Sequence, residues 1–137
     1  MKFMVNVIPH NSQRYNTCGD WQFDDKTNTL FVDVSETNVE AYNFLIAIHE
    51  LIEAYLCIRD GISQELVDKF DQGVGASLDE PGNDIRAPYH KQHGIASGVE
   101  RMLAGHMGVD WHFFEELIIK MGEEYDPPPR DSSEKAL

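Results

Sequence analysis

Basic residues are scarce in this 137-residue chain: 11 Lys and Arg stand against 24 Asp and Glu, a formal net charge of −13. No Lys/Arg cluster offsets that imbalance, so binding to a phosphate backbone is disfavoured and no nucleic-acid partner is expected. Cysteine is nearly absent as well. Cys18, beside Gly19 in an expected loop, and Cys57, inside an apolar run, form neither a paired CxxC zinc signal nor a disulfide framework, which suits the reducing cytoplasm. Uninterrupted apolar runs of ~18 residues are missing, and MKFMVNVIPH is broken too soon by Pro9 to read as a signal peptide, so no membrane partner is expected. Internal repeats are lacking. One domain is therefore expected over residues 1–125, followed by a polar, Pro-rich tail over 126–137.

What is present is 42% hydrophobic and 10% aromatic, enough for a folded core. KFMVNVI reads as a strand, and two alternating segments around a polar turn predict a β-hairpin from about Trp21 to Ser35. Helical signals follow. Thr37 with Glu40 forms a capping-box pattern at the head of a helix of about 20 residues that stops at Gly61. Ser63 caps a shorter helix with Ile62, Leu66, Val67 and Phe70 on one face, while Asp68 and Asp71, flanking Phe70, read as surface residues. Residues 71–87 form a Gly/Pro-rich loop whose length suggests a function. Pro88 opens a third helix to about Ala104, and Asp110 caps a fourth that ends before Gly122. Strands first and helices afterwards predict an α+β fold, a small antiparallel sheet packed on about four helices.

FLIAIHELIEAYLCI, residues 44–58, carries only three residues that are neither apolar nor aromatic: His49, Glu50 and Glu53. His49 and Glu53, one turn apart, share a face, with Glu50 beside them. Apolar residues fill the other directions, so the three are at least partly enclosed. Two enclosed carboxylates require a cation, a proton or strong donors, and with an imidazole beside them a divalent metal is the economical answer. About 40 residues on, PYHKQHGIASGVE sets His90, His93, Ser97 and Glu100 along one helical stripe. Ile95, Val99, Met102 and Leu103 point roughly the opposite way, toward an expected core. Taken alone, that polar stripe is equally a solvated one; two separate imidazole–carboxylate segments joined by an acidic loop favour a shared metal.

HELIE also resembles the HExxH helix of zincin metallopeptidases, in which the two histidines bind zinc and the intervening glutamate is the general base. The order of elements, sheet with hairpin, then this helix, then a later helix bearing a third ligand, is similar too. Glu53 stands where that family has its second histidine. The resemblance therefore implies zinc, or another divalent metal, held by His49, Glu53 and one or both of His90 and His93, with Glu50 free as base toward metal-activated water. The chain is also similar to small metallopeptidase-like proteins encoded by phages and prophages, which share a His-Glu helix followed by a PYH segment; this implies a host-cytoplasmic location. Glu100 and Asp84 are additional candidate ligands, and Tyr89 reads either as an oxyanion donor or as packing. His10, His106 and His112 read as ordinary, and Cys57 as a small core residue rather than a nucleophile.

Three functions stay open at this point. The leading one is a metal-dependent, zinc-type hydrolase acting on a peptide or protein. The second is a non-catalytic, metal-stabilised binding or inhibitor protein, which closed coordination by His49, Glu53, His90 and His93 would favour over three ligands and an open position. The third is a magnesium-dependent nucleotide pyrophosphatase built on Glu50, Glu53 and Glu100, to which the histidines and the N-terminal strands are poorly suited. No residue pattern sets an oligomeric state.

Overall fold

β-branched and aromatic side chains alternate with polar ones through TLFVDVS, and this segment becomes the middle strand of a three-stranded sheet. The computed structural model describes residues 1–129. In chain order it contains β1 (Lys2–Ile8), β2 (Gly19–Asp24), β3 (Thr29–Ser35), α1 (Glu40–Arg59), α2 (Gln64–Gln72), α3 (His90–Met107) and α4 (Trp111–Glu123). The α+β class holds, with strands preceding helices. Residues 126–129 of the expected tail have no regular secondary structure, and 130–137 lie outside the described residues.

The expected hairpin forms: β2 runs antiparallel to β3, with Trp21 opposite Val32 and Phe23 opposite Leu30. Asn28, at the turn, adopts a positive φ of 50°, which its short polar side chain tolerates. The sheet is nevertheless mixed rather than wholly antiparallel, because β1 lies parallel to β3 on its other side, Phe3 beside Leu30 and Val5 beside Val32. Alternation along a strand records which face is buried but not the direction of its neighbour.

Leu30, Val32 and Val34 are fully buried, in one core cluster with Leu45, Ile46, Ala54 and Cys57 of α1. By length and composition, with a mean hydropathy of 1.3, α1 is apolar enough to cross a membrane. Here it is a packed helix, set against β2, β3 and α3. Its cap differs from the expected box. Glu40 is the first helical residue, and Asn43 takes the reciprocal role, its Oδ1 accepting from both the backbone N–H (3.0 Å) and the hydroxyl (2.6 Å) of Thr37. Ser63 and Asp110 cap α2 and α4 as expected, each accepting a backbone N–H three residues on.

α3 departs from expectation in two ways. It continues past Ala104 to Met107, where Gly108 in the left-handed region (φ 69°) closes it. Its inward face is also rotated: Leu103 packs against the core and Val99 is half-buried, but the other two expected core residues are not. Gln92, His93, Ala96, Glu100 and Ala104 are buried, whereas Ile95 and Met102, expected in the core, are exposed. The polar stripe wins the interior because it meets an opposite polar stripe on α1, and Ala54, Ala96 and Ala104 are small enough to let the two helices approach.

Candidate metal centre

The one-turn spacing of His49 and Glu53 on α1 sets both heads toward α3, where His93 and Glu100, two turns apart, face them. All four are buried, between 5% and 8% exposed. Three atoms converge. Glu53 Oε2 lies 3.1 Å from His49 Nε2 and 2.8 Å from His93 Nδ1, and the two nitrogens are 3.2 Å apart. Ligand atoms about 2.0–2.2 Å from a tetrahedral zinc lie about 3.3 Å from one another. The observed triangle is close to that, so a small outward relaxation seats a cation against two imidazole nitrogens and one carboxylate oxygen, a borderline-soft set typical of zinc.

Behind the triangle, Glu100 Oε1 accepts from His49 Nδ1 at 2.9 Å. A carboxylate there holds the proton on Nδ1 and aims the Nε2 lone pair at the shared point. Without a cation, burial opposes a charge on His49, but the bonds to Glu100 and Glu53 outweigh it and raise the imidazole to about 11. Glu53 is likewise pushed up by burial yet held below its ordinary range by the bonds from His49 and His93. In the metal-free cluster the bonds to Glu53 and Glu100 thus favour a proton on His49. A metal ion bound by these three atoms would take the place of that proton.

Glu50 stands next along α1 and is driven well above the usual carboxylate range, first by burial and then by the charge of Glu53. The backbone of Gly19 is pressed onto it: a Cβ at position 19 would lie 2.4 Å from Glu50 Cγ, so any larger residue there would displace the Glu50 side chain. Gly82 does the same to the candidate ligand His93. A Cβ there would fall 2.3 Å from Cγ and Nδ1 of His93. The long 71–87 segment is therefore structured, with short 3-10 turns at Val74–Ser77 and Pro81–Asn83, and its second turn lies against the candidate ligand.

These residues open onto a cleft of about 780 Å³, walled also by residues 15–21, the 75–84 segment and α4. Behind its far wall Arg14 makes a forked pair with the lining Asp20 (2.7 and 2.8 Å) and reaches Asp68 at 3.2 Å. Beside it the Asp71 carboxylate accepts from the hydroxyls of Tyr15, at 3.2 Å, and Tyr89. Asp68 and Asp71 are accordingly half-buried wall residues, not the surface residues expected. Tyr89 is buried, its hydroxyl committed to Asp71 and its ring edge-on to His93, so of its two expected roles the packing one is observed.

Of the remaining candidates, His90 is not brought into the cluster. It is exposed, three residues before His93, and its Nδ1 donates to the Gly82 carbonyl at 2.9 Å. One hundred degrees per residue turns it off the buried stripe that His93, Ala96 and Glu100 share. Asp84 lines the cleft, but both its oxygens are held by Arg86, whose bonds lower the carboxyl to about 2, so it is not a ligand here. Glu100 contributes through His49 rather than to the triangle itself. Cys57 is fully buried, its thiol pushed up to about 12 by burial and then by the charge of Glu53, as befits an inert core residue.

Tyr15, Gly19, Asp20, Asp71 and Gly82 went unread in the sequence as parts of this site. Only the paired glycine-bearing turns offered a signal, since a glycine marks a close backbone approach. No protein-family model, curated protein or solved structure compared with this chain matches it.

Proposed function

We propose that this chain is a metal-dependent hydrolase that holds one divalent ion, zinc by the chemistry of the donors, on His49 Nε2, Glu53 Oε2 and His93 Nδ1, and that it acts on peptide bonds. The observation that carries the reading is the triangle itself: three ligand atoms within 3.2 Å of one another at a cleft, with no fourth metal-ligating side chain in the cluster among the described residues. Three protein ligands leave a position for water or substrate, the pattern of catalytic rather than structural zinc. The resemblance of HELIE to the zincin helix supports the same assignment of roles.

A divalent ion bound there supplies Lewis acidity, drawing the pKa of water from 15.7 toward ~7. The chain's own residues do the rest. Glu100 fixes the tautomer of His49. Glu50, whose proton affinity is raised by burial and by Glu53, is the general base that takes the proton of the attacking water and returns it to the leaving amine. Gly19 and Gly82 press the backbone onto Glu50 and His93, which limits the freedom of both heads. The magnesium pyrophosphatase reading is disfavoured by two imidazoles in the cluster and by a cleft with no Lys or Arg among its described lining to meet a triphosphate.

The test compares the zinc-loaded chain with Glu50→Gln at matched metal content on a pool of unstructured peptides, followed by mass spectrometry. Loss of about 10²–10⁴ in turnover with metal retained is expected. Equal turnover by the variant, or none by the unaltered chain, contradicts the proposal.

A further inference from the structure

Eleven Asp and Glu side chains line the cleft, and no Lys or Arg is among its described lining residues. The chain as a whole carries 11 basic residues for 24 acidic ones; the arginines nearest the cleft, Arg14, Arg86 and Arg101, contact its lining residues without lining it themselves. Part of the acidity is answered internally. Arg14 pairs with Asp20 and Asp68, Arg86 with Asp84, and His49 lies between Glu53 and Glu100. Glu115 has only a 3.9 Å approach from Arg101, with both side chains largely exposed. Glu50, Asp71, Asp79, Glu80 and Glu123 remain with no ion-pair partner among the described residues, spread over α1, α2, the segment between α2 and α3, and the end of α4. Trp111, Phe114 and Ile118 of α4 add an apolar wall to the same space.

An acidic recess with an apolar side suits a side chain that combines a methylene stem with a cationic head, the stem lying on the wall and the head among carboxylates. Walls of low dielectric strengthen the field inside such a recess and raise the local concentration of positive ligands. We infer that the cleft selects peptide segments bearing Lys or Arg, which makes cationic peptides the substrate class of the candidate centre. This rests on the hydrolase reading for turnover, though the selectivity itself resides in binding.

The test measures binding by fluorescence anisotropy of labelled ten-residue peptides that differ only in three central positions, Arg, Gln or Glu, to the zinc-loaded full chain. The Arg peptide is expected to bind about 10-fold tighter than the Gln peptide, and the preference to shrink at high salt. In the triple variant Asp79→Asn, Glu80→Gln, Glu123→Gln it should fall at least about threefold, with circular dichroism and zinc content checking that the chain still folds. Equal affinities, preference for the Glu peptide, or no binding of any peptide overturns the inference. Spermine, which has the charge without a peptide backbone, serves as competitor; if it binds as tightly as the Arg peptide, the occupant is a free polyamine and the peptide assignment fails. Because binding is read without turnover, charge selectivity without hydrolysis would sink the hydrolase reading alone, and hydrolysis without selectivity would sink only this inference.

Discussion

The two walls of the cleft neutralise their carboxylates by different means. On the far wall Asp20 and Asp68 face the guanidinium of Arg14; on the α1–α3 seam Glu53 and Glu100 face the imidazole of His49. A guanidinium keeps its proton at any pH a folded protein meets, so the Arg14 pairs are permanent and contribute to stability. An imidazole can surrender its proton and offer a lone pair, so the same acid–base contact on the seam is exchangeable for a metal. On the proposed reading the difference separates a structural wall from a metal-binding one where distance and burial alone do not.

That contrast is most severely tested by removing one partner from each wall. Glu53→Gln is expected to abolish stoichiometric zinc, a loss of more than ~100-fold in affinity, since the carboxylate is a direct ligand in the proposed centre. Arg14→Met should leave zinc stoichiometry intact but lower stability by about 2–3 kcal/mol, because Asp20, 4% exposed, loses its cation. Denaturant midpoints and metal content of both variants check the pair; the opposite pattern would erase the distinction between the walls.

Glu100→Gln keeps the shape behind His49 but removes the charge that fixes its tautomer. Zinc affinity should fall about 10- to 100-fold, read by competition with a chromophoric chelator.

Asp71 sharpens the comparison from a third side, since phenols rather than cations answer it. Burial, and then the charge of Glu53 acting against the Tyr89 bond, lift its carboxyl to about 6 from 3.8. A folded-state pKa above the unfolded one means the folded chain binds the proton more tightly. The contribution is therefore complete below about pH 4 and lost as pH rises through about 6, an effect of ~2 kcal/mol allowing for partial exposure. In the metal-free protein, urea midpoints from pH 4 to 7 should fall across that window, and Asp71→Asn should flatten the fall. The smallest effect is expected at His90→Ala, with metal affinity changed by less than about twofold and stability by under ~0.5 kcal/mol, as suits an exposed side chain whose hydrogen bond among the described residues is to Gly82.

The α1 half of the site was legible because His49, Glu50 and Glu53 have no polar face to belong to. The α3 half was legible only as a choice between two histidines. Which of them turns inward depends on the rotation of α3 against α1, a tertiary fact that an intrahelical stripe leaves undetermined. The same ambiguity put Ile95 and Met102 on the wrong side. The far wall was illegible for another reason: Tyr15 and Asp71 are 56 residues apart, Arg14 and Asp68 are 54, and an Asp beside Phe70 looks like any surface acid until the chain folds back on it. In the sheet, the hairpin announced itself through its turn, while the parallel docking of β1 left no mark in KFMVNVI.

The most direct test of the centre is zinc X-ray absorption on the loaded chain. Two imidazoles, one carboxylate oxygen and one exchangeable light-atom ligand at about 2.0–2.1 Å are predicted. No bound zinc at one equivalent, or a closed set with a third imidazole, would contradict the account.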